Sequence, residues 1–377
     1  MIAKILSDRE IEELYEKGSF KLAQERNDFL LPQICDFVNK KQWLNLHPEY
    51  QRRLVWDKNK KSLFIESLLL NIPIPPIFLY EWDYARYEVM DGQQRLASII
   101  DFYENKFKLS GLEQWHDLNG KTYSDLPPLL KKAVDRRRLS AVVILAESAS
   151  DEETRNKLRR SVFERLNTGG QKLNAQELRN CIYASQFNDL IIELAGNDLF
   201  DDIWEIPRYK DNIRGGQISK NLAENSLFKR MTDCEIVLRF FAFRQKSYVK
   251  GAVKKILDDC MARNINVTDD QLLEYKDLFL TRLEAAHSIF GDRTFRLIDQ
   301  YGKPRLSQPL FDAIMVALDR NFHLVPNLIN KKNDVISSFD EKLKDPRTYD
   351  LVVAKIGTAP AINDRTKFIQ DHFNSFS

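Results

Sequence analysis

Nowhere does this 377-residue sequence approach the ~18 consecutive apolar residues of a membrane-spanning helix. The first residues reach Arg9 and Glu10 before an apolar signal region can form. Cysteine is scarce: Cys35, Cys181, Cys234 and Cys260 lie far apart with no Cys-x-x-Cys pair, so buried free thiols in a reducing compartment are expected. Charge of one sign is lacking too. Lys and Arg number 57 against 55 Asp and Glu, a formal net charge of +2, so no global field marks a nucleic-acid binder and any such surface must come from local clustering. Internal repeats and low-complexity tracts are absent. A cytoplasmic globular protein without membrane contact is the expectation.

What is present is enough apolar residue, 43%, to bury a substantial core, over a length that suits two domains. The first part mixes helix and strand. Helical spacing covers Asp8 to Lys17, Ile34 to Trp43 and Lys58 to Leu70, with Leu44 to Leu54 extended between them, and the prolines of Asn71-Ile72-Pro73-Ile74-Pro75-Pro76 stop the third helix. Ile77 to Trp82 and Tyr87 to Met90 read as a hairpin around Asp83. A basic helix (Leu129 to Arg138), a strand (Leu139 to Ala146) and a charged helix (Asp151 to Leu166) follow, and Asn174 caps a helix from Ala175 to Ser185. Beyond that, strand signals disappear. Phe187 to Phe200, Ser226 to Phe243, Gly251 to Ala262, Asp269 to Phe290 and Pro309 to Asn321 carry helical spacing, with Tyr209 to Gly216 as a surface loop. The fold class is therefore α+β, an N-terminal domain over residues 1–185 followed by an all-α domain over 186–377 that contacts a partner or nucleic acid.

The most informative stretch is Asp91-Gly92-Gln93-Gln94-Arg95, between a strand and a helix running from Leu96 to Phe107. A strand that turns through Gly into a helix aims free backbone N–H groups and the positive end of the helix dipole at one spot, which favours phosphate. Arg95 adds a forked cation, expected to be mostly solvent-facing, and Asp91 is a carboxylate for a metal ion. The plainer alternative is a capping-box variant in which Asp91 and Gln94 satisfy the first N–H groups of the helix. Two adjacent Gln and an Arg exceed what capping requires. Three more pieces would complete a site if they converge: Tyr50-Gln51-Arg52; the helix end Phe163-Glu164-Arg165-Leu166-Asn167-Thr168-Gly169-Gly170; and Glu177 with Arg179. In isolation each has an ordinary reading: surface arginine, glycine helix stop, solvated glutamate.

Together, Tyr50-Gln51-Arg52-Arg53-Leu54-Val55-Trp56, Asn71-Ile72-Pro73-Ile74-Pro75, Asp91-Gly92-Gln93-Gln94-Arg95-Leu96 and Phe163 to Gly170 with Leu173 and Glu177-Leu178-Arg179-Asn180 come in one order over roughly residues 30 to 185. In this the sequence resembles the GmrS-like domain of GmrSD restriction systems, which has a ParB/sulfiredoxin-like nucleotidase fold. The resemblance implies NTP binding and hydrolysis with Mg²⁺, and a role in bacterial defence against foreign DNA in which nucleotide state controls a nuclease. On that basis Arg95 and Arg52 would clamp phosphate, Gln93 or Gln94 would orient the attacking water, Asp91 would hold Mg²⁺, and Gly92 would let backbone reach the phosphate. Tyr50, Gln51, Arg165, Asn167, Thr168, Gly169 and Gly170 would complete the nucleotide contacts, with Asn167 and the glycine turn at ribose or base.

Many members of that family carry a C-terminal His-Asn-His nuclease unit, for which this sequence has little material. Its five histidines are His47, His116, His287, His323 and His372, and the nearest lookalike, Asp371-His372-Phe373-Asn374, leaves no room for that fold. Arg320 and His323 are too close for the Arg-x₄₋₆-His ribonuclease motif. Nuclease activity is therefore expected in a separately encoded partner. Two further readings stay open: a ParB-like module that binds DNA or nucleotide without turnover, and a self-contained nuclease. Lys131-Lys132, Arg136-Arg137-Arg138 and Arg155 to Arg160 are available to DNA phosphates in any of these, or are solvated helix faces.

Overall fold

The structure is a computed structural model and describes residues 7–16, 23–46, 56–145, 161–163, 165–166, 174–214, 217–298, 303–353 and 357–377. The chain divides into two compact units, Met1–Leu173 and Asn174–Ser377. The sequence reading placed a boundary at Ser185.

The first unit is built on a five-stranded mixed sheet of β1 (Gln24–Leu30), β2 (Leu44–Asn45), β3 (Ile77–Asp83), β4 (Arg86–Asp91) and β5 (Arg138–Leu145), in the order β1-β5-β3-β4-β2. The hairpin expected around Asp83 forms β3 and β4, which pair antiparallel from Phe78↔Asp91 to Asp83↔Arg86. β3 also runs parallel to β5, with Ile77 opposite Ala141 and Leu79 opposite Val143. β1 escapes the sequence reading because it is an edge strand, Gln-Glu-Arg-Asn-Asp-Phe-Leu, whose side chains stay largely in water. It needs no apolar alternation, only β5 beside it.

Helices cover the sheet with fully buried residues. Leu96, Ile99 and Phe102 on the helix Gln93–Tyr103 are all 0% exposed, and each such side chain contributes about 1.5–3 kcal/mol by leaving water. That helix packs against Leu31–Asn39 and Lys58–Leu69. The latter is capped by Asp57, whose carboxylate accepts the Lys60 N–H at 2.8 Å, and it ends ahead of the prolines with Asn71 left-handed.

The second unit is helical, with two short ribbons in addition. Its central helix, Thr232–Phe243, is buried on almost every side, against Gln186–Ala195, Val253–Arg263 and Gln308–Arg320. The helix Asp269–Phe290 spans the residues read from its periodicity, fixed at its start by a Thr268–Gln271 capping box. Two expected helices are broken. Asn197 caps a new start at Asp198, and Met231 takes a left-handed conformation that separates Ser226–Lys229 from Thr232–Phe243. The stretch from Tyr209 to Gly216 expected as a loop contains the short helix Tyr209–Asn212 and the strand Ile213–Arg214, which pairs with Gln217–Ile218 just beyond it; Arg296–Ile298 pairs with Pro304–Leu306. No helix among the described residues is long and apolar enough to cross a membrane.

Candidate functional site

The signature sits where β4 ends and the helix Gln93–Tyr103 begins. Gly92 makes the turn with φ at +96°, and a Cβ there would lie 2.3 Å from Ile77 Cγ2. Both the left-handed backbone and the missing side chain are required, so only glycine fits. Gly92 is also the N-cap, and no side chain among the described residues caps the helix. The capping box considered from sequence does not form: Asp91 turns to Arg95 and Gln94 turns away.

Each side chain of the motif has a defined partner. Arg95 Nη2 donates to Asp91 Oδ2 at 2.8 Å, while its Nη1 donates to the Pro75 carbonyl and, at 3.4 Å, to that of Pro76. Arg95 is thereby drawn in, its side chain only 13% exposed against 48% for Asp91, which corrects the expectation of a solvent-facing arginine. Burial lowers the Arg95 pKa, and Asp91 partly offsets it. The prolines that stop the preceding helix have a second use here. They leave carbonyls without strand or helix partners, and Arg95 takes them.

The two glutamines work as a pair. Gln93 Nε2 donates to the Leu46 carbonyl, and the Trp56 backbone N–H donates to Gln94 Oε1 at 2.9 Å. One helix turn thus grips the chain at Leu46 and again at Trp56. Gln93 is 8% exposed and its Oε1 is buried with no hydrogen-bond partner among the described residues. An orphaned buried carbonyl of this kind costs about 1–3 kcal/mol and calls for a donor.

Residues 34–184 match the family model described as GmrSD restriction endonuclease, N-terminal domain. This segment is a GmrSD N-terminal domain. The match suggests a restriction-type, defence-related protein. No curated protein and no solved structure is significantly similar to the chain.

Within the GmrSD domain, Asp91, Gly92, Gln93, Gln94 and Arg95 share the helix start. Tyr50, Gln51 and Arg52, like Asn167, Thr168, Gly169 and Gly170, lie outside the described residues, and Arg165 is exposed. The stretch Arg155 to Arg160 is likewise outside them. Arg137 points inward, donating to the Leu69 carbonyl at 2.8 Å, while Lys132, Arg136 and Arg138 are exposed. Among the described residues no three His, Cys, Asp or Glu side chains are placed to hold a metal.

Glu177 and Arg179 are buried, not solvated. Glu177 accepts the Asn174 N–H at 2.5 Å in a capping box and lies 3.3 Å from Arg230, while Arg179 bonds Asp258 at 2.8 Å and Glu235 at 2.9 Å. Both belong by these contacts to the second unit. Sequence reasoning also passed over Glu66, a 3% exposed carboxylate. Burial pushes its pKa up, but N–H donors from Glu113, Gln114 and Trp115 outweigh that and hold it low, so Glu66 anchors a loop.

The histidine of the nuclease lookalike is a core residue. His372 is 1% exposed, with Nε2 3.0 Å from the Val335 carbonyl and Nδ1 3.1 Å from Lys342 Nζ. The cysteines are free, Cys181, Cys234 and Cys260 buried and Cys35 partly so. Burial pushes the Cys35 and Cys260 thiols up to about 12, which keeps them protonated and unreactive.

Proposed function

We propose that the GmrSD domain binds a nucleoside triphosphate at the start of the helix Gln93–Tyr103 and hydrolyses it with Mg²⁺, as the regulatory component of a restriction-type defence system whose cutting activity resides in a separately encoded nuclease. The observation that supports this most is the Gly92 turn. It opens a helix whose first N–H groups no side chain among the described residues covers, beside the half-exposed carboxylate of Asp91. Free N–H groups at a dipole's positive end stabilise phosphate oxygens.

The residues present fit a nucleotide-borne Mg²⁺. Asp91 gives one oxygen to Arg95, and Oδ1, with no partner among the described residues, would take the ion or its water. A single carboxylate builds only a weak site, so the metal would be recruited with the triphosphate. Bound there, Mg²⁺ would neutralise charge on the phosphates. Arg95, fixed by Asp91 and the proline carbonyls, would present a preset cation. Gln94 spends its oxygen on Trp56, and its amide N–H groups, unpaired among the described residues, would orient water. Arg52 would join from the segment between Leu46 and Trp56, whose ends the glutamines hold.

A second reading, binding without turnover, is favoured by the engagement of both glutamine side chains in the fold. Phosphate release with each NTP, with and without DNA, separates the two. Turnover should disappear with EDTA, return with Mg²⁺ or Mn²⁺, and be abolished in Asp91→Asn. Nucleotide binding with no phosphate released under any of these conditions would establish the second reading instead.

A further inference from the structure

The second unit contains a cleft of about 1270 Å³ that the signature does not use. Ligand pockets commonly enclose about 300–1,000 Å³, so this one accommodates a whole nucleotide. Arg239, Arg305, Lys344 and Arg365 line it, against Asp350 as the carboxylate among its lining residues. Arg239 and Arg365 are buried, 8% and 2% exposed, and Arg305 and Lys344 are exposed. Asp312, 2% exposed, serves both buried guanidiniums: it takes two bonds of 3.0 Å from Arg239 Nε and attracts Arg365.

The spare hydrogen-bonding capacity of this wall is of one kind. The Trp204 indole N–H and the Gln308 amide nitrogen are buried with no partner among the described residues. Both are donors, and buried donors want acceptors. Apart from Thr232 and Ser307 the rest of the lining is apolar, including Leu227, Ile236 and Val353, with Tyr349 as an aromatic wall. A lining that combines cations and donors with apolar and aromatic side chains matches a molecule with both an anionic group and a flat apolar part.

We propose that this cleft is a second ligand site, for a 5′-phosphorylated nucleoside, independent of the signature in the first unit. The phosphate lies toward the arginines and Lys344, where forked guanidiniums suit its oxygens. The base lies on the apolar wall beside Tyr349.

The test is equilibrium dialysis of the full chain in EDTA with each of the four labelled ribonucleoside triphosphates, where Mg²⁺-dependent turnover is silent. At least one should bind. Its affinity should fall at least tenfold in the double variant Arg305→Glu, Lys344→Glu, whose exposed positions leave the core intact. Tripolyphosphate should compete poorly. A free-nucleotide ligand and the 5′ end of a nucleic acid share this chemistry, and competition by a 5′-phosphorylated tetranucleotide at equal concentration, present or absent, assigns one or the other. The proposal is overturned if no nucleotide binds, if binding ignores the double variant, or if tripolyphosphate displaces the nucleotide mole for mole. Turnover retained in the double variant but lost in Asp91→Asn keeps the fate of this site distinct from that of the signature.

Discussion

Gly92 shows how much one missing side chain can decide. In Gly92→Ala a methyl group would meet Ile77 Cγ2 at 2.3 Å on a backbone already at φ +96°. Gly120 gives the control, with φ +85° and nothing within 4 Å of an added Cβ. Gly120→Ala is expected to cost about 1 kcal/mol from backbone strain alone, and Gly92→Ala roughly 2–4 kcal/mol through strain plus overpacking. Thermal unfolding of both variants measures the difference, and equal losses would mean that Ile77 yields without cost. His372 is the residue-scale pH sensor of the fold. Burial, with Lys342 beside it, lowers its pKa from 6.5 to about 4. Between those values the unfolded chain binds the proton and the folded chain does not, so stability is full above pH 6.5 and falls as pH drops toward 4. The loss should reach about 3 kcal/mol, and in His372→Gln the slope of stability against pH over this window should flatten.

At the scale of elements, the helix Gln93–Tyr103 is both a core helix and a clasp. Its buried face holds it to the sheet, and its first turn holds the chain at Leu46 and Trp56. Gln94→Ala removes the acceptor for the Trp56 N–H while leaving Leu96, Ile99 and Phe102 in place. One such bond is worth about 1 kcal/mol, so amide exchange at Trp56 should quicken roughly fivefold with no change at the buried end of the helix. If exchange at Trp56 is unaltered, the glutamine is not what fixes that end. The clasp also explains why two adjacent glutamines occur together: successive helix positions point in different directions, so one reaches each end of the segment.

For the whole molecule, the two units make a prediction about where the chain can be cut. The helix Ala175–Ile182 begins the second unit, and its Arg179 is 3% exposed between Asp258 and Glu235. A fragment beginning at Asn174 keeps this group, and one beginning at Gln186 leaves Asp258, 8% exposed, without it. Breaking a buried pair by removing one partner costs about 3–5 kcal/mol. The fragment 174–377 is therefore expected to unfold cooperatively and at a distinctly higher denaturant midpoint than 186–377. Coincident midpoints would return the boundary to Ser185.

Local patterns carried most of the helical reading. Asp269–Phe290 followed from its apolar period, and the β3–β4 hairpin from two apolar runs around Asp83, because each depends on neighbours a few residues away. The order of motifs located the GmrSD domain for the same reason, since order is written in the chain. Partners distant in sequence were not legible. β1 carries no apolar alternation and exists through β5, and Glu177, read as solvated, is buried because of Arg230 and the fold around it. The signature divides between the two: its glycine and cation were plain in the sequence. That Arg95 would be drawn to Pro75 and Pro76, and the glutamines to Leu46 and Trp56, was decided by tertiary structure, because a side-chain amide or guanidinium bonds whichever carbonyl or N–H the fold leaves unpaired beside it.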